Sequence, residues 1–414
     1  MDAQAVTREA NAPAGRKAKA RSAWWRVHQW AGLQLSLFLT FVFLTGTLAV
    51  FSYEIDWALR PAMWAAPTAI EDRASWGTVG ETVMDGAGGE GRMIVYAPIH
   101  PAATFDAVLR RDGVSTHVYV HPRTGEITGT GPWAGVQRFL RNTHRHLMLP
   151  VKYGVPIVAL AAVFLAVSLV TSFWVYKKWW RGFLRLPRGR TARAWIGDAH
   201  RVAGVWSLWF VVLMIVTGLW YLVEVLGAGA PAANGDDPEL SQIAALEREL
   251  GMGEAIDAGI AALMARHPDF RIEAVIWPPD RETPAEIHGY TGRAILVRPR
   301  ANTAWIDPRT GALLDVVDPA RLSAHQRIAE AADPLHFGTF GGYWTKTLWF
   351  LFGAALTALA GTGVAIYALR LAKTARETPG WRRGLVRSWR AMGPARWIAA
   401  SLVILPFALT PFVL

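Results

Sequence analysis

Five apolar runs constrain this chain more than any other feature. Leu33–Phe51, Tyr153–Tyr176, Val202–Leu226 and Trp344–Leu371 approach or exceed the roughly 20 residues that a helix needs to cross a bilayer core. Trp397–Leu414 is a shorter fifth run, interrupted by Pro406 and Pro411. A bilayer offers no water to backbone polar groups, so these runs must become helices. Composition agrees: 52% of residues are hydrophobic and 18% are charged, below the level of about a quarter usual in soluble domains. The 21 Trp suit a chain with many membrane–water boundaries. The first run is too long for a secretory h-region and lacks a clean small-residue cleavage site after it, so it reads as an uncleaved signal anchor.

The charges between the runs orient the chain. Residues 1–26 carry a net +4, and residues 177–195 and 370–396 carry +7 each. Residues 53–143 carry −2 and residues 227–345 carry −7. Basic segments stay in the cytoplasm, which places the two long acidic segments outside, in a bacterium the periplasm. The total of +11 is therefore an orientation signal, and no nucleic-acid partner is needed to explain it. The expected order is a basic N-terminus (1–23), a first span (24–52) and an external region (53–143). A second span with its histidine segment (144–176), a basic loop (177–195) and a third span (196–226) come next. A second external region (227–335), a fourth span (336–371), a basic loop (372–396) and a fifth span (397–414) complete it.

The external regions carry structure of their own. Residues 92–130 alternate in the manner of strands, as in Thr116–Val120, and residues 271–316 do the same. Residues 240–266 read as a helix with Leu240, Ile243, Leu246 and Leu250 on one face. Each region is expected to be a small α+β unit, with flexible connectors at 81–91 and 227–238.

The two halves resemble each other. His28, Ala31, Gly32, Phe38, Thr45 and Gly46 are matched 172 residues later by His200, Ala203, Gly204, Phe210, Thr217 and Gly218. The external strings His121-Pro-Arg-Thr-Gly125 and Asp307-Pro-Arg-Thr-Gly311 both read as hairpin turns. His144 and His146 precede the second span, and His336 precedes the fourth. The expected architecture is a four-helix transmembrane core made of two parallel repeats, with a fifth C-terminal helix.

Histidines at corresponding depths of spans suggest ligands. A lone His at a span end is as easily an interfacial hydrogen-bonding residue, but the matched pair followed by Ala-Gly favours two bis-histidine haem sites. Small residues at Gly32 and Gly204 would let a helix or a flat macrocycle come close. The chain has no Cys, which excludes thioether attachment and thiolate sites and makes any haem b-type. From His28 to Ser52 a continuous helix would run about 36 Å, enough for one haem near each face. His121 and His325 could line an external acceptor site, or be ordinary surface residues. No Walker A loop, dinucleotide glycine fingerprint or His-Glu-x-x-His motif is present.

These residues resemble a known family. Arg26-Val-His28-Gln-Trp30-Ala-Gly32 with Thr45-Gly46, His144-Arg145, and Leu335-His336-Phe-Gly338 are similar to the pattern of PepSY-associated transmembrane helix proteins. The two Pro-Arg-Thr-Gly strings resemble the ends of PepSY-type domains. The resemblance implies a bacterial inner-membrane protein of a family that includes haem-containing reductases of ferric siderophores. It implies His28, His144, His200 and His336 as haem ligands, with His146 competing with His144. The expected partners are then two b haems, a ferric siderophore or other ferric chelate as acceptor, and a flavoprotein reductase or quinol as donor. The rival expectation is a membrane protein without enzymatic activity that binds a periplasmic peptidase or envelope protein. A transporter is a third, disfavoured because the first, second and fourth spans hold no deep acidic or basic residue.

Overall fold

The computed structural model describes residues 12–86, 91–235, 238, 240, 250–374 and 381–414. In chain order its elements begin α1 (Ala12–Gln34), α2 (Ser36–Ala49), α3 (Ser52–Leu59) and α4 (Trp76–Gly86). β1 (Arg92–Tyr96), β2 (Phe105–Arg111), β3 (Val114–Val120), β4 (Ile127–Pro132), α5 (Val136–His146) and α6 (Val151–Val175) follow. The second half continues with α7 (Ala192–Trp206), α8 (Leu208–Val223), α9 (Met252–Arg266), β5 (Arg271–Trp277) and β6 (Ala285–Tyr290). It ends with β7 (Ala304–Ile306), β8 (Leu313–Val316), α10 (Ala324–Phe337), α11 (Gly342–Thr374), α12 (Trp381–Ala391) and α13 (Ala395–Val413). The chain divides into a helical unit, drawn from 1–50, 140–228 and 343–413, and a sheet unit, drawn from 51–139 and 229–342.

In the helical unit α6, α8 with the turn running on to Ala228, α11 as far as Arg370, and α13 are each long and apolar enough to cross a membrane. The weakest of the expected spans, at the C-terminus, is thus a helix of sufficient length. The first expected span differs from its reading. Residues 23–34 and 36–49 pass the same test only as a pair, bent by 64° at Leu35. Leu35 has φ −112° and ψ 19°, outside helical values. The straight 36 Å helix read from His28 to Ser52 is therefore corrected. Sharp bends go with Gly and Ser in close succession, and Gly32 and Ser36 bracket this one. The third expected span is interrupted too, at Ser207 between α7 and α8. Ser207 follows Leu35 by the same 172 residues that separate the two histidines.

Small residues bring these helices together. A Cβ at Gly218 of α8 would lie 2.9 Å from the Ala162 side chain of α6, and one at Gly353 of α11 would lie 2.7 Å from Thr47 Oγ1 of α2. Threonine hydroxyls bond back to their own helices: Thr45 to Phe41 O at 3.0 Å, Thr47 to Phe43 O at 2.7 Å, Thr217 to Leu213 O at 2.8 Å.

The sheet unit holds one eight-stranded sheet, ordered β4-β3-β2-β1-β5-β6-β7-β8. The two α+β regions expected separately are joined by antiparallel pairing of β1 with β5, Val95 opposite Val275. This long-range pairing makes one sheet of them, and a sequence pattern carries no record of it. Alternate residues on one face (Val95, Phe105, Val118, Val120, Val275, Trp277, Ile287, Ile306) pack with Val79 and Val83 of α4 and Ile256 and Leu263 of α9. The expected connector 81–91 is corrected as far as Gly86, because α4 is helical there and Val83 is in that core. At Gly80 α4 lies against the Trp277 ring, leaving no room for a Cβ. The predicted helical positions Ile243 and Leu246 lie outside the described residues, and Met252–Arg266 of that stretch is helical. In the second connector, Ala233 is buried with Val297 and Ala301.

Helices α4 and α9 cap each other. Asp257 of α9 accepts from the backbone N–H of Gly77 (2.7 Å) and from Ser75 Oγ, and Glu81 of α4 accepts from the N–H of Gly253 (2.9 Å). Gly77 to Gly253 and Glu81 to Asp257 are the same interval, 176 residues. The two Pro-Arg-Thr-Gly turns also share one geometry. In each, the first residue's N–H donates across the turn (His121 to Glu126 O, Asp307 to Ala312 O) and the Gly is left-handed, at φ 72° and 73°.

Candidate functional site

His28 lies on α1 one turn before Gly32, and His200 lies on α7 one turn before Gly204. His28 Nδ1 meets two groups of α6: the carbonyl of Ser168 at 3.0 Å and Thr171 Oγ1 at 3.0 Å. His200 Nδ1 meets Thr362 Oγ1 of α11 at 2.9 Å. The Ser168 carbonyl can only accept, so His28 Nδ1 is the donor. Thr362 spends its proton on its own helix, donating to Ala358 O at 2.7 Å, so its oxygen accepts from His200 Nδ1. Both imidazoles therefore carry hydrogen on Nδ1 and a lone pair on Nε2, the form in which histidine ligates a metal.

The helix faces beside them are open at the two glycines. A Cβ at Gly32 would meet nothing within 4 Å, and one at Gly204 would meet Leu359 alone, at 3.8 Å. Among the described residues no helix is seated on Gly32, so of the two expected uses of these glycines, close helix approach is not realised there. Among the described residues no three His, Cys, Asp or Glu converge as metal ligands. A metal held entirely by side chains is thus unsupported, whereas a macrocycle that brings four nitrogens needs only two axial imidazoles. The donor set and the open glycine face fit a haem.

His144 sits at the end of α5, elsewhere in the helical unit. Its Nδ1 donates to Val42 O of α2 at 2.9 Å. Its ring lies on Gly46, where a Cβ would come 2.5 Å from Cε1, so the Thr45-Gly46 pair makes room for this imidazole. The acceptors of His28 on α6 lie 17 and 20 residues beyond Val151, about 26–30 Å along the helix from its start. His146 is buried, and its Nδ1 has no hydrogen-bond partner among the described residues. Leu147 and Met148, both buried, then turn the chain through left-handed backbone at φ 55° and 61°. Non-glycine residues there cost of order 1–3 kcal/mol each, strain stored directly beside His144 and His146.

His336 belongs to α10 in the sheet unit. A capping box of Ser323 and Gln326 opens that helix and left-handed Gly338 closes it. Glu330 anchors it: buried at 2% exposure, its carboxylate accepts from Arg298 (2.7 Å) and Arg300 (2.9 Å). Burial alone would raise the Glu330 pKa, but the two guanidiniums outweigh it and hold the group below its ordinary value. Other histidines have local duties. His121 Nδ1 accepts from the N–H groups of Arg123 and Thr124 and closes its turn, and His117 pairs with Asp106 at 2.8 Å.

Sequence reading missed Ser168, Thr171 and Thr362. Hydroxyl residues inside apolar runs are common and usually bond their own helix, so nothing in the one-dimensional pattern marks these three as histidine partners.

The apolar helices and the family comparison together make this a multi-pass membrane protein with a β-sheet region. A search of curated proteins gives no match. The family model described as PepSY-associated TM region matches residues 25–370, which includes all four repeated histidine positions, and the chain belongs to that family.

Proposed function

We propose that this protein is a b-type haem reductase of a bacterial inner membrane, passing electrons outward to a ferric chelate such as a ferric siderophore. The observation that carries this reading is the matched pair His28 and His200. Each has Nδ1 committed to a neighbouring span and Nε2 left as a lone pair, beside an open glycine face. A haem b bound there would supply a one-electron redox centre without any covalent link. For a second pair, His144 and His336, the support is the sequence pattern. Equal intervals between matched residues (172 for the histidines and helix breaks, 176 for the caps) support two parallel repeats. The basic segments support a cytoplasmic N-terminus, with the sheet unit in the periplasm.

In this reading His28 and His200 bind and orient, and no side chain acts as acid or base. A flavoprotein or quinol on the inner side gives up the electron, and the chelated Fe(III) takes it to become Fe(II). Hard oxygen donors hold Fe(II) less firmly, and the iron is released for uptake. The test is a spectrum of the purified protein, oxidised and then dithionite-reduced, with a pyridine haemochrome assay. A Soret band and b-type haem are expected, with haem content reduced in His28→Ala and in His200→Ala. A colourless wild-type protein, or unchanged haem in both variants, would overturn the reading.

A further inference from the structure

We infer that Thr171 and Thr362 are positioning residues that set the tautomer and ring orientation of His28 and His200, and that Thr362 carries the greater share. The inference rests on the reading of these histidines as haem ligands for its purpose, while its geometry stands apart from that reading.

The two threonines are built alike. Each lies on the span next to the helix that bears its histidine, Thr171 on α6 and Thr362 on α11. Each donates its hydroxyl proton to the carbonyl four residues earlier, Val167 and Ala358, at 2.7 Å in both cases. Each hydroxyl oxygen is thereby turned into an acceptor facing an imidazole Nδ1. An ordinary span threonine satisfies its own helix and ends there; Thr171 and Thr362 relay that satisfaction to a histidine on another helix. A partner on the far nitrogen of a ligating histidine fixes the ring and raises its basicity, and losing one typically costs 10–100-fold in affinity or activity.

The two seats differ in one respect. His28 has a second acceptor, the Ser168 carbonyl at 3.0 Å, which no substitution of Thr171 removes. For His200 the hydroxyl of Thr362 is the single Nδ1 acceptor found among the described residues. Removing Thr171 thus leaves a donor still satisfied, and removing Thr362 leaves a half-buried imidazole N–H without a partner among the described residues.

The test uses the full chain and the variants Thr171→Val, Thr362→Val, Thr362→Ser and, as a control for loss of a back-bonded hydroxyl on the same helix, Thr357→Val. Nitrogen-15 NMR of histidine-labelled, haem-free protein reads the tautomer directly. Wild type should show His28 and His200 protonated on Nδ1. Thr362→Val should mix the tautomers of His200, with Thr362→Ser and Thr357→Val behaving as wild type. With haem supplied, Thr362→Val should release it about 10-fold faster and shift the low-temperature EPR signal, and Thr171→Val should do less. An unchanged His200 tautomer in Thr362→Val, or a Thr171→Val effect as large as that of Thr362→Val, would overturn the inference. Absence of haem from wild type would overturn the proposed function and leave the tautomer result to decide this inference on its own.

Discussion

The sheet unit and the helical unit solve one problem in two ways. Both bury polar side chains. In the sheet unit the groups are charges: buried Glu330 lies between Arg298 and Arg300, and the more exposed Asp257 and Glu81 take N–H groups of facing helices. In the helical unit they are hydroxyls, with Thr45, Thr47, Thr171, Thr217 and Thr362 returned to their own carbonyls. A charge gains from pairing where water can reach its rim, and costs far more in a hydrocarbon setting. A back-bonded hydroxyl is cheap in either place, and it can still accept. The helical unit uses that spare acceptor to hold histidines.

The largest break in this comparison should come from Glu330→Ala. It strips two partly exposed arginines of their buried partner, and a loss of about 1.5–3 kcal/mol is expected from the sheet unit, read by denaturant unfolding followed through tryptophan fluorescence. Next is Gly80→Ala, whose methyl would enter the Trp277 ring. Overpacking of this kind costs about 1–3 kcal/mol, and the same assay reports it. Asp257→Ala removes the cap of α4 and should cost about 0.5–2 kcal/mol. Thr45→Val tests the other side of the comparison. A near-isosteric loss of one back-bonded hydroxyl should change stability little, within about 0.5 kcal/mol, and a larger effect would break the contrast between the units.

Acid should separate the units as well. Glu330 has a folded-state pKa below its unfolded value, so its contribution is present above the unfolded value, near pH 4.5. It is lost as pH falls through the lower folded value. The stability of the sheet unit should therefore fall below about pH 4.5 in wild type, and that dependence should flatten in Glu330→Gln. The back-bonded threonines do not titrate and add no such slope.

Much of the fold was legible because a bilayer makes strong demands on composition. Each of the four long apolar runs sits on a helix or a broken helix, and the Pro-Arg-Thr-Gly strings became hairpin turns with left-handed glycines at Gly125 and Gly311. The breaks at Leu35 and Ser207 escaped notice because Gly and Ser inside a hydrophobic run still average as apolar. The α4 helix through Gly86 was hidden by its glycines, which read as a connector until Trp277 and α9 are seen to need close backbone. At the candidate site, His28, His200, His144, Gly32 and Gly46 stood out by position. Their partners did not, since Ser168, Thr171 and Thr362 look like any polar residue tolerated in a span.

By itself, then, the sequence determined which segments are apolar helices, which carry strands, and which histidines stand at matching places. Those properties follow from solvation and local backbone preference, and both act over a few residues. Tertiary structure alone decided that two external regions share one sheet through β1 and β5, that α4 and α9 cap each other, and that Nδ1 of His28 and of His200 each meets a hydroxyl on another span. Those pairings join residues more than a hundred positions apart, and only the folded chain brings such groups within hydrogen-bonding distance.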